Sequence, residues 1–187
     1  MADSQFLTNQ FLIAMPNLMD PNFFHSVTYI CEHSEQGAMG IVINQPVELT
    51  VDELITQIGM EKTTSRPLDQ WVYRGGPVET ERGFVLHQPI GSWESTLPIT
   101  DNIAISTSND IVEAIAAGEG PEQCLVALGY AGWGAGQLER EMVDNAWLSG
   151  PADAGIIFNT QAEKRWEAAA RLLGIDINSL SGDAGHA

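Results

Sequence analysis

Two rhythms of apolar and polar positions divide the chain. Runs rich in β-branched and aromatic residues at 10–15 (QFLIAM), 26–33 (SVTYICEH) and 38–44 (AMGIVIN) predict strands. Pro16 stops the first and Pro46, just beyond Asn44, stops the third. Residues 34–37 then read as a four-residue hairpin loop between the second and third. A helical period takes over at Thr50. Val51, Leu54, Ile55 and Ile58 fall at i, i+3, i+4 and i+7, Thr50 and Glu53 form a capping box, and Gly59 supplies the stop.

Residues 61–69 are polar and read as a loop. Residues 71–74 and 84–88 read as strands around GGPVETERG, where Gly75, Gly76 and Pro77 make a sharp turn. Residues 91–98, carrying Trp93, form another loop. A strand at 102–106 precedes a helix at 109–117, introduced by Thr107 and Ser108, closed by Gly118, and apolar at Ile111, Val112 and Ile115.

The stretch 125–148, LVALGYAGWGAGQLEREMVDNAWL, organises the rest. It reads as a strand over 125–130, a glycine turn from Gly129 to Gly136, and a twelve-residue helical pattern from Gln137. On that helix Leu138, Met142 and Ala146 make an apolar stripe, and Gln137, Glu141 and Asn145 a polar line beside it. Residues 155–159 (GIIFN) read as a last buried strand. A final helix has Thr160 and Glu163 as a second capping box, the stripe Ala162, Trp166, Ala169, Ala170 and Leu173, and Gly174 as its stop. Residues 178–187 are small and polar and read as a frayed, flexible tail. Seven or eight strands, gathered early as hairpins, and about four short helices give a single α+β domain over residues 1–177.

Composition agrees with one buried core, since 44% of the 187 residues are hydrophobic and 18% charged. Charge narrows the function: eight Lys and Arg against 25 Asp and Glu give a formal net charge of −17. Phosphate backbones are bound by neutralising them with Lys and Arg, so direct DNA binding is not expected. The start, MADSQFLTNQ, has no basic region before an apolar run, and no apolar segment approaches the roughly 20 residues of a membrane span. A cytoplasmic protein without a membrane partner is expected. Cys31 and Cys124 both lie in apolar strand-like runs and read as free thiols in a reducing compartment, although sequence alone leaves a bond between them open.

No phosphate loop, zincin motif, C-x-x-C pair or nucleophile elbow is present, and the glycines at 129, 132, 134 and 136 have the wrong spacing for a dinucleotide fingerprint. The helix start after Gly136 offers free N–H groups to an anion, but Glu139 and Glu141 already occupy that end of the macrodipole. His25, His33 and His87 show no ligand spacing, so no metal and no cofactor is expected. Two site readings remain. In the first, Tyr130 and Trp133 wall a pocket edged by Gln137, Glu141 and Asn145, with Asn44 near His33, and the chain binds a protein partner or a small ligand there. In the second, His33 or His87 works with Glu32 or Glu141 as acid and base on a small neutral substrate. Each residue has a plainer role as core anchor, hairpin edge or solvent-facing helix side, and these stay open.

The blocks FLIAMPNLMDPNFFHSVTYICEH, GAMGIVINQP, YRGGPV with GFVLH, and GYAGWGAGQLEREMVDNAWL together resemble the AlgH/YqgE family of bacterial cytosolic proteins, over about residues 11–148. The resemblance implies a single α+β domain with a complex, barrel-like, mostly antiparallel sheet flanked by helices. It also implies a transcriptional-regulator label linked to alginate production, without a DNA-binding motif and without agreed catalytic residues. A regulatory module acting through a partner or ligand is therefore the expected function, with the acid–base enzyme as the alternative.

Overall fold

A computed structural model describes residues 6–18 and 20–177; the tail expected at 178–187 lies outside them. Among the described residues the strands are β1 (Gln10–Ala14), β2 (Val27–Ser34), β3 (Gly37–Val42), β4 (Pro46–Thr50), β5 (Trp71–Arg74), β6 (Val78–Gln88), β7 (Thr96–Pro98), β8 (Ala104–Ser106), β9 (Gln123–Gly134) and β10 (Trp147–Pro151). The helices are α1 (Val51–Gln57), α2 (Asn109–Ala116), α3 (Gln137–Val143), α4 (Ala154–Asn159) and α5 (Arg165–Arg171). The sheet runs in the order β10-β1-β2-β3-β9-β6-β8-β7, with β4 and β5 appended through a parallel β5–β9 pair. It curls into an antiparallel half-barrel that makes one domain.

β9 joins the two halves of the curl. Its first part, around residues 126–128, lies between β5 and β6, and its last part, Ala131 to Gly134, pairs with β3. The bend falls at Gly129, φ +80°, where four residues of β6 (79–82) bulge opposite one of β9. The turn after β5 presses on this bend. A Cβ on Gly76 would lie 2.1 Å from the Tyr130 carbonyl carbon, and one on Gly75 would lie 2.3 Å from the Gly129 oxygen. Only glycine permits that approach of backbone to backbone.

Three clusters cover the sheet. Phe11, Ile13, Tyr29, Ile41, Phe84 and Leu125 line the concave face under α4 and α5. Val51, Ile55, Val85, Ile111 and Val126 are buried with α1 and α2 on the outside of one half. Leu12, Ile30, Trp133, Leu138 and Trp147 are buried with α3 on the other. Alternate residues of β1 enter different clusters, which is why its sequence is apolar without interruption. Among the described residues no helix is long and apolar enough to cross a membrane. Both cysteines are free, Cys31 buried and Cys124 half-buried.

The α1 capping box forms as expected, with Thr50 and Glu53 bonded reciprocally. Other expectations are corrected. GIIFN is helix α4, not a strand: Asp153 accepts from the Gly155 N–H and caps it, and a short apolar run by itself has no period to separate strand from buried helix. Burying Ile156 and Ile157 there contributes about 1.5–3 kcal/mol each. The second capping box does not form; Thr160, just past the end of α4, instead donates its hydroxyl to the Gly155 carbonyl in the first turn of that helix, and a 3-10 turn, Ala162–Lys164, leads into α5. The β2–β3 loop is Glu35 and Gln36 alone, because Ser34 and Gly37 pair across the hairpin. β4, β7 and the first half of β6 were not anticipated. The expected glycine turn is mostly strand, since β9 continues to Gly134, and the helix after it ends at Val143 so that Trp147–Pro151 can pair with β1.

Candidate functional site

β9 leaves the sheet at Gly134, and Gly136, φ +75°, turns the chain into α3. This sets Gln137 and Glu141 one helical turn apart over the edge of the sheet. Gln137 accepts from the Gly134 N–H at 3.0 Å and donates to Glu141 Oε2 at 3.0 Å. Glu141 Oε1 accepts from two indoles, Trp133 Nε1 and Trp147 Nε1, each at 3.0 Å. Phe23 closes the aromatic group, edge-on to Trp147 at 5.3 Å and tilted on Trp133 at 6.2 Å. Glu141 thus ties α3, β9 and β10 together. Asn145, exposed at φ +60°, lies past the end of α3 and does not join this line.

His33 is buried, and its partner is Glu139 rather than Glu32, Asn44 or Glu141. Its Nδ1 accepts from the Leu7 N–H at 2.9 Å, so its proton sits on Nε2, facing Glu139 Oε2 at 3.2 Å. Glu32 points away and is exposed. Asn44 bridges the Val27 N–H and the His25 carbonyl, each at 2.9 Å. His25 is stacked between Phe24 and Trp166, both rings 3.9 Å away, and burial lowers its pKa.

His87 is fully buried. Its Nδ1 donates to the Pro89 carbonyl at 3.0 Å, and its Nε2 lies 2.7 Å from Ser106 Oγ, which in turn lies 2.9 Å from Thr96 Oγ1. Burial holds the His87 pKa below its ordinary value, against the opposing pull of the Pro89 carbonyl. Burial also pushes the Cys124 thiol up to about 11, so it is not a thiolate at neutral pH. The three histidines with described partners take separate ones, and among the described residues no group of three His, Cys, Asp or Glu is gathered as for a metal ion.

The other face of β9 is open. Tyr130, Gly132 and Trp133 line a trough of about 490 Å³ together with Met39, Val78, Glu79, Arg82 and Phe84. Phe84 meets Tyr130 edge-on at 5.6 Å, and Arg82 lies 5.3 Å over the Phe84 ring while pairing with Glu79 at 3.6 Å. A smaller recess of about 210 Å³, lined by Glu32, Ser34 and Gln36, adjoins the trough across Ala38, Met39 and Trp133. Tyr130 and Trp133 were expected to wall one pocket together, but Tyr130 packs against Phe84 while the Trp133 ring is buried on the opposite face of β9 with Leu138 and Trp147. Met39, Val78, Arg82 and Phe84 were missed, because only the β3–β9–β6 pairing brings them together.

The AlgH-like family model matches residues 11–178. The chain belongs to the AlgH-like family. A UPF0301 protein of Thioalkalivibrio sulfidiphilus is 58% identical over all of both chains, and one of Nitrosococcus oceani 52% identical over 97% of each. The solution structure of the AlgH protein from Pseudomonas aeruginosa, 51% identical, superposes with a TM-score of 0.78 over 97% of this chain and 96% of that one. A protein of Corynebacterium diphtheriae, 19% identical, shares the fold at a TM-score of 0.74 over 94% of this chain and 91% of that one.

In this AlgH-like chain the α3 side and the trough differ in unused bonding capacity. A carboxylate has about four acceptor sites, and Glu141 fills three with fixed N–H groups. The trough is bordered by half-buried Met39 and Tyr130 and exposed Val78, with Arg82 lying over the buried Phe84 ring.

Proposed function

We propose that the chain is a regulatory module that acts by holding a segment of a protein partner in the trough beside Tyr130 and Trp133, without contacting DNA itself. The observation that carries this is a trough of about 490 Å³ bordered by exposed Val78 and by half-buried Met39 and Tyr130, which pack at the rim of the main core. Small-molecule sites enclose most of their ligand, whereas a shallow trough beside exposed strands suits a chain segment. The charge of −17 supports a protein rather than a nucleic-acid partner. The acid–base alternative gains nothing from the placement of its residues: His33 faces Glu139, His87 faces Ser106, and Glu141 is taken up by two indoles.

The test is photo-crosslinking in living cells with benzoylphenylalanine at Val78, and at Val143, an equally apolar but highly exposed position on α3, as control. A protein adduct of defined mass at 78 and none at 143 is expected. No adduct at 78, or the same adducts at both, overturns the reading. A small molecule that co-purifies with the chain and is lost from a Gly132→Val variant would replace the partner by a ligand.

A further inference from the structure

We infer that His33 is an acid-operated latch: when its ring takes up a proton, the bond to the Leu7 N–H is lost and Phe6 and Leu7 come off the sheet while the rest of the fold stays closed. The geometry leaves the incoming proton one place to go. In the neutral ring Nδ1 accepts from the Leu7 N–H at 2.9 Å, and Nε2 already holds its proton toward Glu139 Oε2 at 3.2 Å. Protonation therefore sets an N–H on Nδ1 head-on against the N–H of Leu7, with no acceptor between them.

Which side gives way follows from what holds each. The imidazole side chain on β2 is 1% exposed, and its new positive charge strengthens the bond to Glu139, so the ring stays in place. Leu7 lies ahead of β1 and is half-buried, beside Phe6, which meets the ring edge-on at 5.1 Å. Two bonds just beyond do not use the ring: the His33 N–H donates to Thr8 Oγ1 at 3.1 Å, and the Asn9 N–H donates to the Ile30 carbonyl at 2.9 Å. They stop the opening at Thr8. Leu7 packs against the cluster of Leu12, Ile30 and Leu138, so its departure bares part of that cluster. Among the described residues Glu139 is the one charged side chain bonded to the ring. The β3 residue opposite His33 is Ala38, Glu32 and Ser34 line the recess on the other face of β2, and Arg140 of α3 extends toward Gly136.

The experiment follows the ¹⁵N-labelled full chain by NMR from about pH 8 to about pH 5. It reads the His33 ring nitrogens, the Leu7 and Asn9 amide shifts, and their hydrogen exchange corrected for its intrinsic pH dependence. The Leu7 amide is expected to move with the same midpoint as the ring, and its protection to fall about tenfold or more below that midpoint, while Asn9 stays protected. Glu139→Gln, at a half-buried position, keeps an acceptor but removes the charge, and is expected to carry both midpoints to lower pH together. A ring that stays neutral across the range, or one that titrates with the Leu7 amide unmoved, overturns the latch. So does loss of Leu7 and Asn9 protection together, or a Leu7 midpoint that stays put when that of the ring shifts.

Discussion

The two faces of the last part of β9 carry the same glycine-rich sequence and are built to different ends. On the α3 face, Trp133 is buried against Leu138 and Trp147, and the polar atoms there close on one another through Glu141. On the opposite face, Tyr130 and Gly132 border a trough in which Met39 and Tyr130 are half-buried and Val78 is exposed. The conspicuous acid beside tryptophans is a tie between elements. The surface with spare capacity lies across the sheet, where the sequence shows only a tyrosine, a methionine and a valine.

The glycines offer the severest way to break that contrast. Gly76 belongs to the seam that bends β9, so Gly76→Ala forces a Cβ against the Tyr130 backbone, which cannot rotate aside. We expect it to cost about 4 kcal/mol or more, or to prevent folding, measured by urea denaturation. A cost under about 1 kcal/mol would mean the seam is not what holds the bend.

Glu141 tests the sealed face. Glu141→Ala leaves two indole N–H groups and the Gln137 amide without their acceptor, and about 2–4 kcal/mol should be lost. Glu141→Gln keeps one acceptor oxygen for the indoles and should lose clearly less. A full-length binding partner retained by both variants would agree with a structural tie. Loss of partner binding by a Glu141→Gln protein of unchanged stability would instead move the site to the α3 face.

A smaller effect is expected from the buried imidazole on the α1 and α2 side. In the unfolded chain His87 titrates near 6.5, whereas in the fold burial holds it lower. Between those two values the unfolded state binds more protons, so stability falls as pH drops below about 6.5 toward the lower folded pKa. His25 contributes with the same sign. His87→Gln should therefore make the stability profile shallower between neutral and mildly acid pH without flattening it. An unchanged slope would place the titration elsewhere.

What was legible in the sequence was local. Thr50 and Glu53 announce α1 because a capping box closes within four residues, and the Gln137–Glu141 line survives as a hydrogen bond because both lie on one helix turn. Pairings at long range left no such trace. Glu139 meets His33 across 106 positions, and Trp147 reaches Glu141 only because the helix stops early and the chain turns back to pair with β1. The glycines misled for a physical reason: they were read as a turn, whereas Gly132 and Gly134 lie in a strand and Gly129 serves a bend set by the backbone of Gly75 and Gly76. Of the trough only Tyr130 stood out, as an aromatic beside glycines, and Met39 and Val78 did not, since a single apolar residue in a strand has no mark of exposure; Trp133, read beside Tyr130, turns its ring to the α3 face.

The mildest substitution discriminates best. Gly132 lies in the same strand as Gly129, but a Cβ there would meet only the edge of the Tyr130 ring, at 3.2 Å, and a ring can give way where backbone cannot. Gly132→Ala should therefore change stability by no more than about 1 kcal/mol in either direction, since the loss of room is set against a less flexible unfolded chain. The same methyl group narrows the floor of the trough, so crosslinking through Val78 should weaken in a protein that melts within a few degrees of the parent. A melting point lowered as far as that of Gly76→Ala would make Gly132 part of the seam. Unchanged crosslinking at unchanged stability would mean that nothing rests on the floor of the trough, and the contrast between a sealed and an open face would then describe packing alone.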